Sequence, residues 1–110
     1  MKPSMKKLLS QVNKARLALG MNPLDALPKG KPSSWAACPI ARALKIEADI
    51  SFLHFASNEK AKKVARAWHV ASDAHDNTIT TPKNIANFIL AFDRGEYPEL
   101  RKSRTKNIIC

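Results

Sequence analysis

Acidic side chains are what this chain has least of relative to its size. Nine Asp and Glu stand against nineteen Lys and Arg in 110 residues, a formal net charge of +10. That imbalance favours a negatively charged partner, whether nucleic acid, an anionic membrane or an acidic protein surface. Cysteine is scarce too. Cys38 and Cys110 make neither a disulfide framework nor a metal-ligand spacing, so a reducing compartment and a cytoplasmic location are expected. Three glycines leave no phosphate-cradling Walker loop and no dinucleotide fingerprint, and no cofactor is expected. No apolar run approaches the roughly 20 residues a membrane span needs. Lys6 and Lys7 ahead of Leu8 and Leu9 open like a secretory signal, but Gln11, Asn13, Lys14 and Arg16 interrupt the apolar stretch.

What the chain does have is an ordinary apolar fraction, 45%, and enough length for one core. The expectation is a single compact basic domain over residues 1–100, followed by a loosely ordered basic tail, 101–110. The charge is unevenly distributed. Residues 1–45 carry nine basic groups and one acid, Asp25, while residues 46–100 carry six basic and eight acidic groups. The tail adds Arg101, Lys102, Arg104 and Lys106. Basic ends around a nearly neutral middle point to a localised cationic footprint.

Periodicity gives the elements. Ser4 caps a first helix that ends at Gly20, with Met5, Leu8, Leu9, Val12 and Leu19 on one face and Lys6, Lys7 and Lys14 on the other. Residues 21–34, rich in proline, read as an ordered connection. A second helix starts near Ser33–Ser34 or at Pro39 and buries Ile40, Ala43 and Leu44. Ile46, Ala48, Ile50 and Phe52 then alternate with polar residues, the pattern of a half-buried strand over 46–55. Such a strand needs a partner, either Thr78–Thr81 or the same strand of a second copy in a homodimer. Ser57 caps a third helix running to about Ala74, with Trp68 and His75 on its apolar face. Thr81-Pro82 opens a fourth, which Gly95 ends, and Pro98 begins a last turn near Leu100. The fold class is therefore α+β, predominantly helical.

Four constellations invite a sharper reading. CPIARALKIEADISFLHFA resembles a helix-turn-helix, but the offset where its second helix needs an apolar anchor falls on Ser51. The ISFLHFA segment also lacks Arg, Lys, Asn or Gln to read base edges. His54, His75-Asp76 and Asp93 resemble the ligand set of the HD phosphohydrolase family, which would imply a metal-dependent hydrolase. The resemblance rests on these four residues alone, and His75 lies on the apolar stripe. His69, Asp73 and Asp76, spaced i, i+4 and i+7, would share a helix face suited to a divalent metal. Lys62 and Arg66 on that face would repel the cation. Cys38 at a helix start would have its thiol activated, yet no base is assignable beside it, and a buried structural cysteine is the simpler reading.

The basic footprint is what remains: Lys6, Lys7 and Lys14 on the first helix, Lys29 and Lys31 in PKGKP, and Arg101, Lys102, Arg104 and Lys106 at the end. Trp35 and Tyr97 are the aromatics expected at the surface, while Trp68 and the phenylalanines are assigned to the core. With so few stacking residues, the expectation is a small non-enzymatic protein gripping nucleic-acid phosphates through Lys and Arg. The alternative is an interaction or inhibitor protein that docks an acidic protein surface.

Overall fold

The computed structural model describes residues 4–32, 34–73 and 75–101. Its first helix, α1 (Met5–Ala18), begins where Ser4 Oγ accepts the Lys7 amide, satisfying one of the four orphan donors of a helix start. The chain leaves it through Gly20, whose φ of 79° is the left-handed geometry that glycine adopts without strain. Leu8, Val12 and Ala15 are fully buried. The proline-rich connection is tied back to α1 within its described residues. Asn13 fixes it by exchanging two hydrogen bonds with the Leu24 backbone, at 2.9 and 2.7 Å.

The second helix, α2 (Pro39–Leu44), starts at the proline, with Cys38 as its cap. Arg16 from α1 reaches across to donate to the Ala43 carbonyl at 2.6 Å and to Asn22 at 2.7 Å, so its guanidinium staples α1 to α2.

The strand expected over 46–55 is two strands. β1 (Glu47–Ala48) and β2 (Phe52–His54) form an antiparallel hairpin around Asp49–Ser51. Asp49 makes the turn: its Oδ1 accepts from the Ser51 amide at 3.2 Å, and its own N–H donates to Phe52. Apolar alternation cannot distinguish a straight strand from one folded in the middle, and here the fold turns Ile50 and Phe52 outward while Leu53 and Phe55 are buried. The internal partner is the expected one. β2 pairs antiparallel with β4 (Thr78–Thr80), which pairs in turn with β3 (Ser72–Asp73), giving the order β1-β2-β4-β3. A homodimer through strand 46–55 thus loses its premise of an unpaired strand. The outer edge is the two-residue β1, and the Ala48 N–H already donates to the Trp35 carbonyl at 2.8 Å.

The third helix, α3 (Asn58–Trp68), has the Ser57 cap but stops six residues short of Ala74. His69 takes up a left-handed conformation, φ 56°, and the amides of His69 and Val70 both turn back to the Ala65 carbonyl. The fourth helix, α4 (Lys83–Asp93), starts one residue later than a Thr81 cap would place it. Pro82 is the boundary residue, and the Thr81 hydroxyl donates instead to the Asp49 carbonyl at 3.0 Å. Gly95, φ 83°, ends α4, and a 3₁₀ turn spans Pro98–Leu100. One cluster of buried side chains joins all four helices with β1, β2 and β4. The architecture is α+β with helices predominating. No helix among the described residues is long and apolar enough to cross a membrane.

Candidate nucleic-acid interface

Helix α1 carries no acid. Lys6, Lys7 and Lys14 are exposed on the face opposite Leu8, Val12 and Ala15. The helix packs directly on α3, and the Trp68 indole N–H of α3 donates to the Gln11 carbonyl of α1 at 2.8 Å. Burial of Ala61, Val64, Ala65 and Trp68 turns Lys62, Lys63 and Arg66 outward on α3, with Lys60 at the flank. Two adjoining helices thus expose seven cations against a single carboxylate, Glu59. None of the seven pairs with a carboxylate of the described residues; Arg94 and Glu96 form an exposed ion pair elsewhere.

The α3 cations are obscured in the sequence when charge is summed over residues 46–100. That net of −2 contains +3 on α3 and −5 on everything else, because the acids cluster on β1, the β3–β4 turn and the end of α4. The signal that could have revealed them is the i, i+4 pair Lys62 and Arg66, which the sequence presents first as an obstacle to a metal. Beside that pair lies an open groove of about 480 Å³, lined by Lys62, Arg66, His69, Val70 and Ser72. It offers ammonium, guanidinium, imidazole and hydroxyl donors and, among the described residues, no carboxylate. Those are the groups that hold phosphate oxygens.

The footprint residues of the connection and the chain end meet at one point. Gly30 forms a parallel bridge with Arg101, its amide donating to the Leu100 carbonyl at 2.8 Å, so Lys29 and Lys31 flank the strand position opposite Arg101. Lys29, Lys31 and Arg101 are all exposed. Lys102, Arg104 and Lys106 lie outside the described residues. The basic groups therefore fall into two sets on different elements, one on α1 and α3 and one at the 29–31/101 crossing.

Several expected site features are rearranged. Tyr97 is 1% exposed rather than a surface stacking residue, its ring 4.7 Å from Phe88, and burial pushes its phenol pKa up. Phe52 moves the other way, to the surface. Trp35 is exposed and Trp68 buried, as expected. ISFLHFA holds strand β2, so the helix-turn-helix resemblance loses its second helix. With α3 ending at Trp68, the supposed face of His69, Asp73 and Asp76 does not exist: Asp73 is in β3 and Asp76 in the turn that follows. His75 is exposed in that same turn, not on an apolar stripe, while His54 lies on β2 and Asp93 ends α4. No group of three His, Cys, Asp or Glu among the described residues is arranged to hold a metal ion. Cys38 is buried, its Sγ accepting the Ala41 amide at 3.4 Å. Burial outweighs the helix-start amides and raises the thiol pKa, the reverse of what a nucleophile requires.

No protein-family model matches this chain, and neither a curated protein nor a solved structure matches it.

Proposed function

We propose that this protein binds nucleic acid through the phosphate backbone, with the α1–α3 helix pair as its principal contact surface. The observation that carries the reading is the groove along α3, where Lys62 and Arg66 stand one helical turn apart beside His69 and Ser72 with no acid among the described residues of the lining. Lys6, Lys7 and Lys14 on the adjoining helix extend the cationic surface, and Lys29, Lys31 and Arg101 supply a second point of contact. Cations without intramolecular carboxylate partners are available to displace the counterions condensed on a polyanion, which is the main driving force of backbone binding. The helices expose no aromatic for base stacking, so affinity should be insensitive to base sequence.

The test is fluorescence anisotropy with labelled duplex DNA and a structured RNA over a salt series. Affinity should fall steeply with salt and vary little with sequence. If neither polymer binds at low salt, or if affinity is independent of salt, the proposal fails.

A further inference from the structure

Around Trp35 and the β1–β2 hairpin the surface has a different chemistry. A cleft of about 200 Å³ is walled by Trp35, Ala48, Ile50 and Ile89 and edged by Asp49 and Asp93. A second hollow of about 130 Å³ shares Trp35, Ala48 and Asp49 with it and adds Glu47 and His54. In a chain of net charge +10, neither hollow is lined by a lysine or arginine among the described residues. Trp35 is 66% exposed and Ile50 45%, so a large apolar area is left uncovered next to carboxylates. The frame around it is fixed by the Trp35–Ala48 backbone bond, the Asp49–Ser51 turn and the Thr81 hydroxyl on the Asp49 carbonyl.

We propose that this cleft docks a short basic segment of a partner protein, one that places a Lys or Arg beside an apolar residue. The apolar side chain would be buried between Trp35 and Ile50, and the cation would lie over the indole face with its charge against Asp49. An indole attracts a cation through its ring quadrupole, and a carboxylate accepts the paired donors of a guanidinium. The choice of occupant follows from charge complementarity. The carboxylates at the rim repel phosphate, so the polyanion assigned to α1 and α3 is excluded here, and the two surfaces operate independently.

The experiment is an NMR titration of the isotopically labelled full chain with an amidated tetrapeptide of alternating arginine and leucine. Its control is the same peptide with glutamate in place of arginine. The expected result is saturable shifts of the Trp35 indole and of the Asp49 and Ile50 amides with the arginine peptide, and none with the glutamate peptide. Trp35→Ala should abolish them, and Asp49→Asn, which keeps the turn-forming oxygen, should weaken binding roughly tenfold. Labelled duplex DNA should shift α1 and α3 and leave Trp35 unmoved. Equal response to both peptides, or no saturable shift with arginine, overturns the proposal. Shifts that appear on raising protein concentration alone would assign the cleft to a second copy. Shifts produced without peptide by Lys102→Glu, Arg104→Glu and Lys106→Glu would assign it to the chain's own residues. Either result overturns a partner segment as occupant.

Discussion

Trp68 and Gln11, separated by 57 residues, are joined by a single hydrogen bond of 2.8 Å from the indole N–H to the backbone carbonyl. The bond fixes how α3 lies on α1, the two helices that carry the exposed lysines. Trp68→Phe keeps an aromatic ring and loses the donor, and should cost about 1 kcal/mol from the bond. Trp68→Ala should cost about 3–5 kcal/mol, because the ring fills the helix interface. Urea unfolding measures both. Since neither variant changes a charge, Trp68→Phe should retain the wild-type salt slope for DNA.

The two basic helices should contribute comparably. Lys6→Glu, Lys7→Glu and Lys14→Glu together, and separately Lys62→Glu with Arg66→Glu, should each flatten the log–log salt dependence. The slope should fall by about 0.9 for every duplex-DNA phosphate that the variant leaves unneutralised. Far-UV circular dichroism should be unchanged, because the substituted side chains are exposed. A wild-type slope in the α3 variant would remove the groove from the binding surface.

Gly30 is required for close approach rather than for an unusual backbone angle. A Cβ there would collide with the Ala37 oxygen and sit 2.7 Å from the Pro39 nitrogen, both backbone atoms that cannot swing aside. Gly30→Ala should therefore cost about 1–3 kcal/mol by overpacking. Thermal or urea denaturation would register this, and a neutral result would contradict the described packing.

Cys38 should behave as a capping group and not as a reagent. Its raised pKa keeps the thiol protonated near neutral pH, so alkylation by iodoacetamide, followed at Cys38 by mass spectrometry, should be slow in the native protein and fast in urea. The linkage has a definite sign. A folded-state pKa above the unfolded value stabilises the fold fully below the unfolded pKa, and that contribution is lost as pH rises through the folded one. Cys38→Ala, which removes the acceptor for the Ala41 amide, should cost on the order of 1 kcal/mol.

Local signals carried most of the fold into the sequence. Ser4, Ser57, Pro39 and Gly95 mark helix ends where the structure has them, because capping and proline geometry act over three or four residues. The failures were of longer range. Nothing in the apolar pattern distinguishes a helix continuing past Trp68 from one turned back at His69 to form β3, since the competing state is stabilised by pairing with β4. Likewise Ile50 and Phe52 look like core residues until the hairpin turns them outward. At the candidate interface, the lysines of α1 were plain from their spacing. Those of α3 were hidden because summing charge along the chain mixes residues that the fold separates.

The clasp between Gly30 and Leu100–Arg101 also constrains the order of events during synthesis. A segment from the first third of the chain finds its backbone partner only after some seventy further residues have been made. While the chain is emerging, PKGKP is without that partner, and pairings closed over so long a span form slowly. Leu100 and Arg101 would therefore complete a structure begun some seventy residues earlier. Substitutions at Leu100 or Arg101 should accordingly reduce the yield of folded protein more than their place at the edge of the core suggests.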